Sequence, residues 1–140
     1  MFEIELNGAV VAQGRPKLTS RPYPHAYDPK KSRDFKSMLS YAAQTYLREH
    51  NAQPFQNGVE LQIHVGVEVP KSWSRKKREQ ALSGEIKPTV KPDCDNIAKS
   101  IMDALTGVWY LDDKQICALL VRKRYSEFPK FKLTCSEAQE

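Results

Sequence analysis

The feature that most constrains this 140-residue chain is a change of hydrophobic period along its length. Residues 59–69, VELQIHVGVEV, alternate apolar and polar side chains, the pattern of a strand with one buried face. Residues 95–105, DNIAKSIMDAL, instead place Ile97, Ile101 and Leu105 at steps of four, with Ala98 and Met102 beside them. That is one face of a helix, and Gly107 ends it. A chain that switches between these periods must build both a sheet and helices.

The remaining segments extend the pattern. Residues 2–12 predict a first strand, and 34–50 a helix whose apolar face runs from Phe35 through Leu39 and Ala43 to Leu47, with Ser32 or Asp34 near its start. Residues 74–82 predict a short helix capped by Ser74 and stopped by Gly84. Strands follow at 116–125 and 131–135, with Phe128-Pro129 in the turn between them. The stretch from Gly14 to Asp34 holds four prolines and no period, and Glu85–Pro92 has two Lys-Pro steps, so both predict loops. The order β-α-β-α-α-β-β predicts an α+β fold, one sheet with helices packed against it, in a single domain spanning 1–140. At this length one core buries roughly two-thirds of the unfolded surface.

Several classes are set aside by what the chain lacks. No apolar run approaches the roughly 20 residues of a membrane span, so no membrane partner is expected. The opening MFEIELNGAV has no basic segment followed by an apolar one, unlike a secretory signal. Cys94, Cys117 and Cys135 are odd in number and form no C-x-x-C pair, which argues for a reduced, cytoplasmic setting. His25, His50 and His64 show no metal-ligand spacing.

Charge is sorted along the chain more sharply than the net +5 suggests. Residues 14–36 carry seven Lys/Arg against two acidic residues, and 71–91 repeat that balance. Residues 122–132 carry five against one. Between them, residues 93–113 hold Asp93, Asp95, Asp103, Asp112 and Asp113 against Lys99 alone. Any one basic stretch is ordinarily a solvated face; three framing one acidic island point to a polyanionic partner. Candidate phosphate contacts are Arg15, Lys17, Arg21, Lys30, Lys31 and Arg33 in the first stretch, and Lys71, Arg75, Lys76, Lys77, Lys87 and Lys91 in the second.

The acidic island matches a chemical requirement. Hydrolysis of a phosphodiester needs an activated water, a polarised phosphoryl group and a stabilised leaving oxygen, and carboxylate-held magnesium serves all three. Asp93 follows Pro92, which places it near the N-cap of the 95–105 helix and Asp95 in the first turn. As plain structure, both are caps favoured by the helix dipole. Asp95, Lys99 and Asp103 share one helical face, either as an ion-pair ladder or with Lys99 directed at a phosphate. Asp112-Asp113 precedes a strand, where adjacent aspartates also suit a turn.

Taken together, KPDCDNIAKSIMDALTGVWYLDDKQI closely resembles the signature of the RusA family of Holliday-junction resolvases, phage and prophage members included. The segments GRPKLTSRPYPHAYDPKKSRDF and PKSWSRKKREQAL resemble that family as well. The resemblance implies a homodimeric endonuclease with a single mixed sheet, using Mg2+ (Mn2+ as a substitute) and no nucleotide cofactor, that nicks four-way DNA junctions symmetrically. It assigns the catalytic carboxylates and metal ligands to Asp93, Asp95 and Asp113, with Asp112 the less favoured of its pair, and the catalytic lysine to Lys99. Asp103 is read as structural. One departure stands out: some members have a phenylalanine just ahead of the first aspartate, and this chain has Lys91-Pro92. Junction opening is then left to other groups, such as the basic loop at 84–91. Two further readings are a less selective nuclease for branched or flapped DNA and a non-catalytic DNA-binding module.

Overall fold

In a computed structural model of the chain, the period-two segment forms β4 (Val59–Glu68), an inner strand of a four-stranded sheet. β4 pairs in parallel with β5 (Ile116–Ser126) and antiparallel with β6 (Lys130–Glu137), and β6 pairs antiparallel with β1 (Phe2–Asn7), giving the order β1-β6-β4-β5. The structure describes residues 1–13, 17–19, 25–27 and 30–139, the two three-residue pieces by backbone alone. Those pieces, β2 (Lys17–Thr19) and β3 (His25–Tyr27), form a separate two-stranded antiparallel sheet. The prediction of an α+β fold with a mixed sheet and helices against it therefore holds, with this small second sheet added.

Among the described residues, three α-helices complete the fold: α1 (Lys30–Glu49), α2 (Arg75–Leu82) and α3 (Cys94–Leu105). Parallel neighbours cannot be joined by a hairpin, and α2 and α3 supply the crossover from β4 to β5. Val59, Leu61, Ile63 and Val65 of β4 face the helices and are buried with Ile97, Ile101 and Leu105 of α3 and Leu39 and Ala43 of α1. Trp109 and Tyr110, just past α3, are fully buried, and the Trp109 indole donates to the Ala43 carbonyl at 3.2 Å.

Local structure differs from the sequence reading in three places, the first being β2 and β3, which fall within the Gly14–Asp34 stretch read as a loop. The first strand ends at Asn7, because Gly8 turns the chain at φ +117° and its amide bonds to the Pro129 carbonyl. Helix α1 begins at Lys30, so Ser32 and Asp34 lie inside it rather than capping it. Other boundaries agree closely: Ser74 caps α2 by accepting from the Lys77 amide, Gly84 follows its end at φ +88°, and residues 85–93 form no regular element.

Candidate active site

Asp93 is the N-cap residue of α3, yet its side chain makes no capping hydrogen bond. The carboxylate is exposed, so the plain reading of Asp93 as a side-chain cap does not hold. Asp95 lies in the first turn, also exposed, with Oδ1 accepting from the adjacent Asn96 amide at 2.9 Å. Lys99 is exposed one turn further along. Asp103 forms an ion pair with Lys36 of α1 at 3.1 Å, as its structural reading requires.

The approach to Asp93 is held from the sheet. Lys123, whose strand neighbours Val121 and Tyr125 face the core, donates from Nζ to the Val90 carbonyl at 2.7 Å and the Pro92 carbonyl at 3.0 Å. Cys94 Sγ lies 4.0 Å from the Val121 carbonyl. The start of α3 therefore sits beside the second half of β5. On the other flank, the Ser100 hydroxyl donates to the Val11 carbonyl at 2.7 Å, and the Gln13 amide to the Asn96 carbonyl at 3.0 Å. The chain thus enters the basic 14–29 segment alongside the first turns of α3.

Basic residues gather around this end. Lys36 meets Asp103, and Ala43 meets Trp109, so α1 and α3 run in the same direction. The exposed first turn of α1, with Lys30, Lys31 and Arg33, is then level with the earlier half of α3. Helix α2 packs Ala81 against Val69 and Tyr125, at the end of β5 nearer Asp93. Its exposed Arg75, Lys76 and Lys77 lie here, with Lys71, Lys87 and Lys91 in the flanking loops. Lys77 also sits 4.0 Å above the Trp73 ring, and Arg75 pairs with Glu79 at 3.3 Å. The Arg15 and Arg21 assignments, and the Lys17 side chain, lie outside the described residues.

Asp112 and Asp113 have different structural roles. Asp112 caps a single 3-10 turn at Asp113–Gln115: its side chain accepts from the Lys114 amide at 2.9 Å, while Gln115 Oε1 accepts from the Asp112 amide at 3.0 Å. The hydrogen bond from the Lys114 amide, above all, holds the Asp112 carboxyl below the ordinary carboxylate range. Asp113, exposed beside it, has no such capping role. It lies away from Asp93, however. The Tyr110 hydroxyl donates to the Met102 carbonyl at 2.8 Å, near the end of α3. Burial raises that phenol above its usual range, and the nearby charges of Asp113 and Asp103 act in the same direction. Asp113 thus belongs to the far end of α3. Among the described residues, no three His, Cys, Asp or Glu side chains converge closely enough to hold a metal ion.

A second basic surface lies outside the candidate contacts named from the sequence. Arg122 and Arg124 of β5 and Lys130 and Lys132 of β6 flank His64 and Gly66 of β4, on the sheet face away from the helices. They line a shallow depression of about 320 Å³ with Glu5. The signal was available: 122 and 124, like 130 and 132, have the even spacing that puts strand side chains on one face.

The sequence model described as Endodeoxyribonuclease RusA matches residues 7–135, a span holding the carboxylates, Lys99 and all the basic stretches. The chain is also 39% identical over 134 residues to the uncharacterized protein YqaN of Bacillus subtilis (strain 168), covering 93% of this chain and 92% of that one. This chain belongs to the RusA endodeoxyribonuclease family.

Proposed function

We propose that the protein is a magnesium-dependent endonuclease that resolves four-way (Holliday) DNA junctions by paired nicks during recombination and repair, acting as a homodimer. The observation that carries this reading is the pair of exposed carboxylates at the start of α3, one of them unused as a cap, with Lys99 a turn further on. Magnesium prefers oxygen ligands and commonly takes one or two carboxylates with substrate phosphate, and Asp93 and Asp95 fit that preference. Asp113, the third acidic group of the assignment, lies at the far end of α3 and is not part of this pair. Bound at Asp93 and Asp95, the ion supplies positive charge that offsets the charge gathering on the phosphate in the transition state. Mn2+ has the same oxygen-ligand preference and serves as a substitute.

The chain's own residues supply the rest. The Lys99 ammonium, on the same helical face as Asp95, neutralises the phosphate or the departing oxygen. Lys123 fixes the backbone at Val90 and Pro92, and so the position of Asp93. Basic side chains of α1, α2 and the loop before α3 hold the DNA backbone, which makes binding fall steeply with salt. A four-way junction has approximate two-fold symmetry, and a symmetric dimer offers two equal sites to two equivalent strands.

The test compares cleavage of four-way, three-way and plain duplex DNA, with magnesium and with EDTA. The four-way junction should be cut in both equivalent strands, EDTA should abolish cutting, and Mn2+ should restore it. Equal cutting of all three substrates would instead indicate a less selective nuclease, a reading favoured by the absence of an aromatic residue at Pro92. Binding without cleavage in magnesium would leave only a DNA-binding module.

A further inference from the structure

The helices cover one face of the four-stranded sheet and, among the described residues, leave the other bare. Two rows of side chains cross all four strands on that bare face. One runs Glu5, Lys132, His64 and Arg122, and the next runs Asn7, Lys130, Gly66 and Arg124. Neighbouring strands lie about 4.8 Å apart, so the cations of β6 and β5 rise from backbones about 10 Å apart, on either side of β4. Gly66 has no side chain to fill that interval, and with Ser126 it floors the depression. Val65, Tyr125 and Phe131, which also border it, are buried, so the side chains offered to solvent there are charged or polar.

The strongest of these cations are uncommitted. Lys132 pairs with Glu3 at 2.8 Å, and the Lys130 ammonium lies 5.6 Å from the centre of the Phe128 ring. Arg122 and Arg124 are exposed and have no ion pair among the described residues. Their charges act on His64 and disfavour its protonation, as cations turned over the same depression must. Arg124 and Tyr125 also border a second hollow, of about 260 Å³, with the end of α2 and Lys87. Basic surface therefore runs without a break from the loop before α3, round the edge strand β5, to the outer face.

Two guanidinium forks on one strand, with an ammonium across from them, suit the oxygens of successive phosphates. The sheet itself stands between this surface and the carboxylates at the start of α3, which lie on the helix side with Lys123. A straight duplex on the helix side cannot also touch Arg122 and Lys130. DNA that changes direction can, by leaving the helix side past Lys87 and turning at Arg124.

We propose that the outer face of the sheet is a second DNA-backbone site, where Arg122, Arg124 and Lys130 grip the phosphates of an arm other than the one being cut. The proposal rests on the four-way-junction reading for its partner. It supplies selectivity for branched over plain DNA without any contact to a base, because only a branched substrate fills both surfaces at once.

The test measures binding rather than cleavage. Fluorescence anisotropy in EDTA follows a four-way junction, and a plain duplex of the same arm sequence, across a salt series for the wild type and for Arg122→Gln/Arg124→Gln. The junction should bind the double variant about tenfold or more weakly, and the slope of log affinity against log salt should become shallower by about 2. Duplex affinity should change by less than about twofold, since the helix-side contacts hold it. Arg48→Gln/Lys114→Gln removes the same charge from exposed positions outside the depression, and should leave junction binding within about twofold. Lys130→Gln, on a different strand, should reduce the slope by about 1 and keeps the test decisive if circular dichroism shows the β5 variant misfolded. Wild-type junction binding by these variants, or a loss no greater than in the Arg48/Lys114 control, overturns the proposal and leaves the depression to an acidic protein segment. An equal loss on duplex and junction overturns the assignment to a second arm. A wild type with no preference for the junction overturns the four-way-junction reading as well. A wild type that prefers the junction but never cuts it overturns the nuclease reading alone.

Discussion

His64 lines the basic depression on the outer face of the sheet. Burial, and then the charges of Arg122, Lys132 and Arg124, hold its imidazole below the usual 6.5. The folded protein therefore binds this proton less tightly than the unfolded chain. The stability contributed by neutral His64 is present above pH 6.5 and is lost as pH falls through the lower folded value. An NMR titration should give a midpoint under 6.5 at low salt. That midpoint should rise in about 0.5 M NaCl, where three neighbouring cations are screened. A midpoint at or above 6.5, or one indifferent to salt, would show that the basic depression exerts no such field. Other residue-scale distinctions were only partly legible. Asp112 and Asp113 look equivalent as a pair, yet Asp112-x-x-Gln115 is a capping-box spacing and separates them on paper. That Asp93 leaves its carboxylate free at the cap position depends on three-dimensional geometry, which spacing does not reveal.

At the scale of elements, the short step from β5 to β6 makes the strongest demand on a single position. Residues 127–129 carry the chain across β4, which lies between those two strands. The crossing passes Gly66, where an added Cβ would sit 2.6 Å from Ser126 Oγ and 3.0 Å from Lys130 Cγ. Ser126 cannot turn aside freely, because its hydroxyl donates to the Phe128 carbonyl at 2.6 Å. Gly66→Ala should therefore cost about 1–3 kcal/mol in urea unfolding. Pairing it with Ser126→Ala should cost less than the two single changes summed. A neutral Gly66→Ala would mean that the crossing is looser than described. Strongly periodic elements such as β4 and α3 were legible in the sequence because their buried faces repeat over ten residues or more. The strands β2 and β3 have three residues each, too few to display a period, and they lie among prolines. The four extra residues at the start of α1 are polar and basic, so no apolar period announces them.

For the whole molecule, the fold turns a linear alternation of charge into a spatial one. Basic residues from α1, α2 and the loop before α3 gather around the carboxylates, while Arg122, Arg124, Lys130 and Lys132 of the tail lie on the opposite face of the sheet. The linear charge pattern anticipated the first arrangement, but the second needed strand order and register. Spacing alone also gave no sign that Asp113 lies at the far end of α3 from Asp93, since that follows from how α3 packs on β5. The central claim is that the α3 carboxylates cut DNA rather than merely cap a helix. The most direct measurement compares wild type with Asp95→Asn for four-way junction binding and for magnesium-dependent cleavage. Binding should stay within about twofold, because the phosphate contacts are elsewhere. Cleavage should fall by about a hundredfold or more, because metal charge stabilisation is worth several kcal/mol. Cleavage at the wild-type rate by Asp95→Asn would contradict the claim.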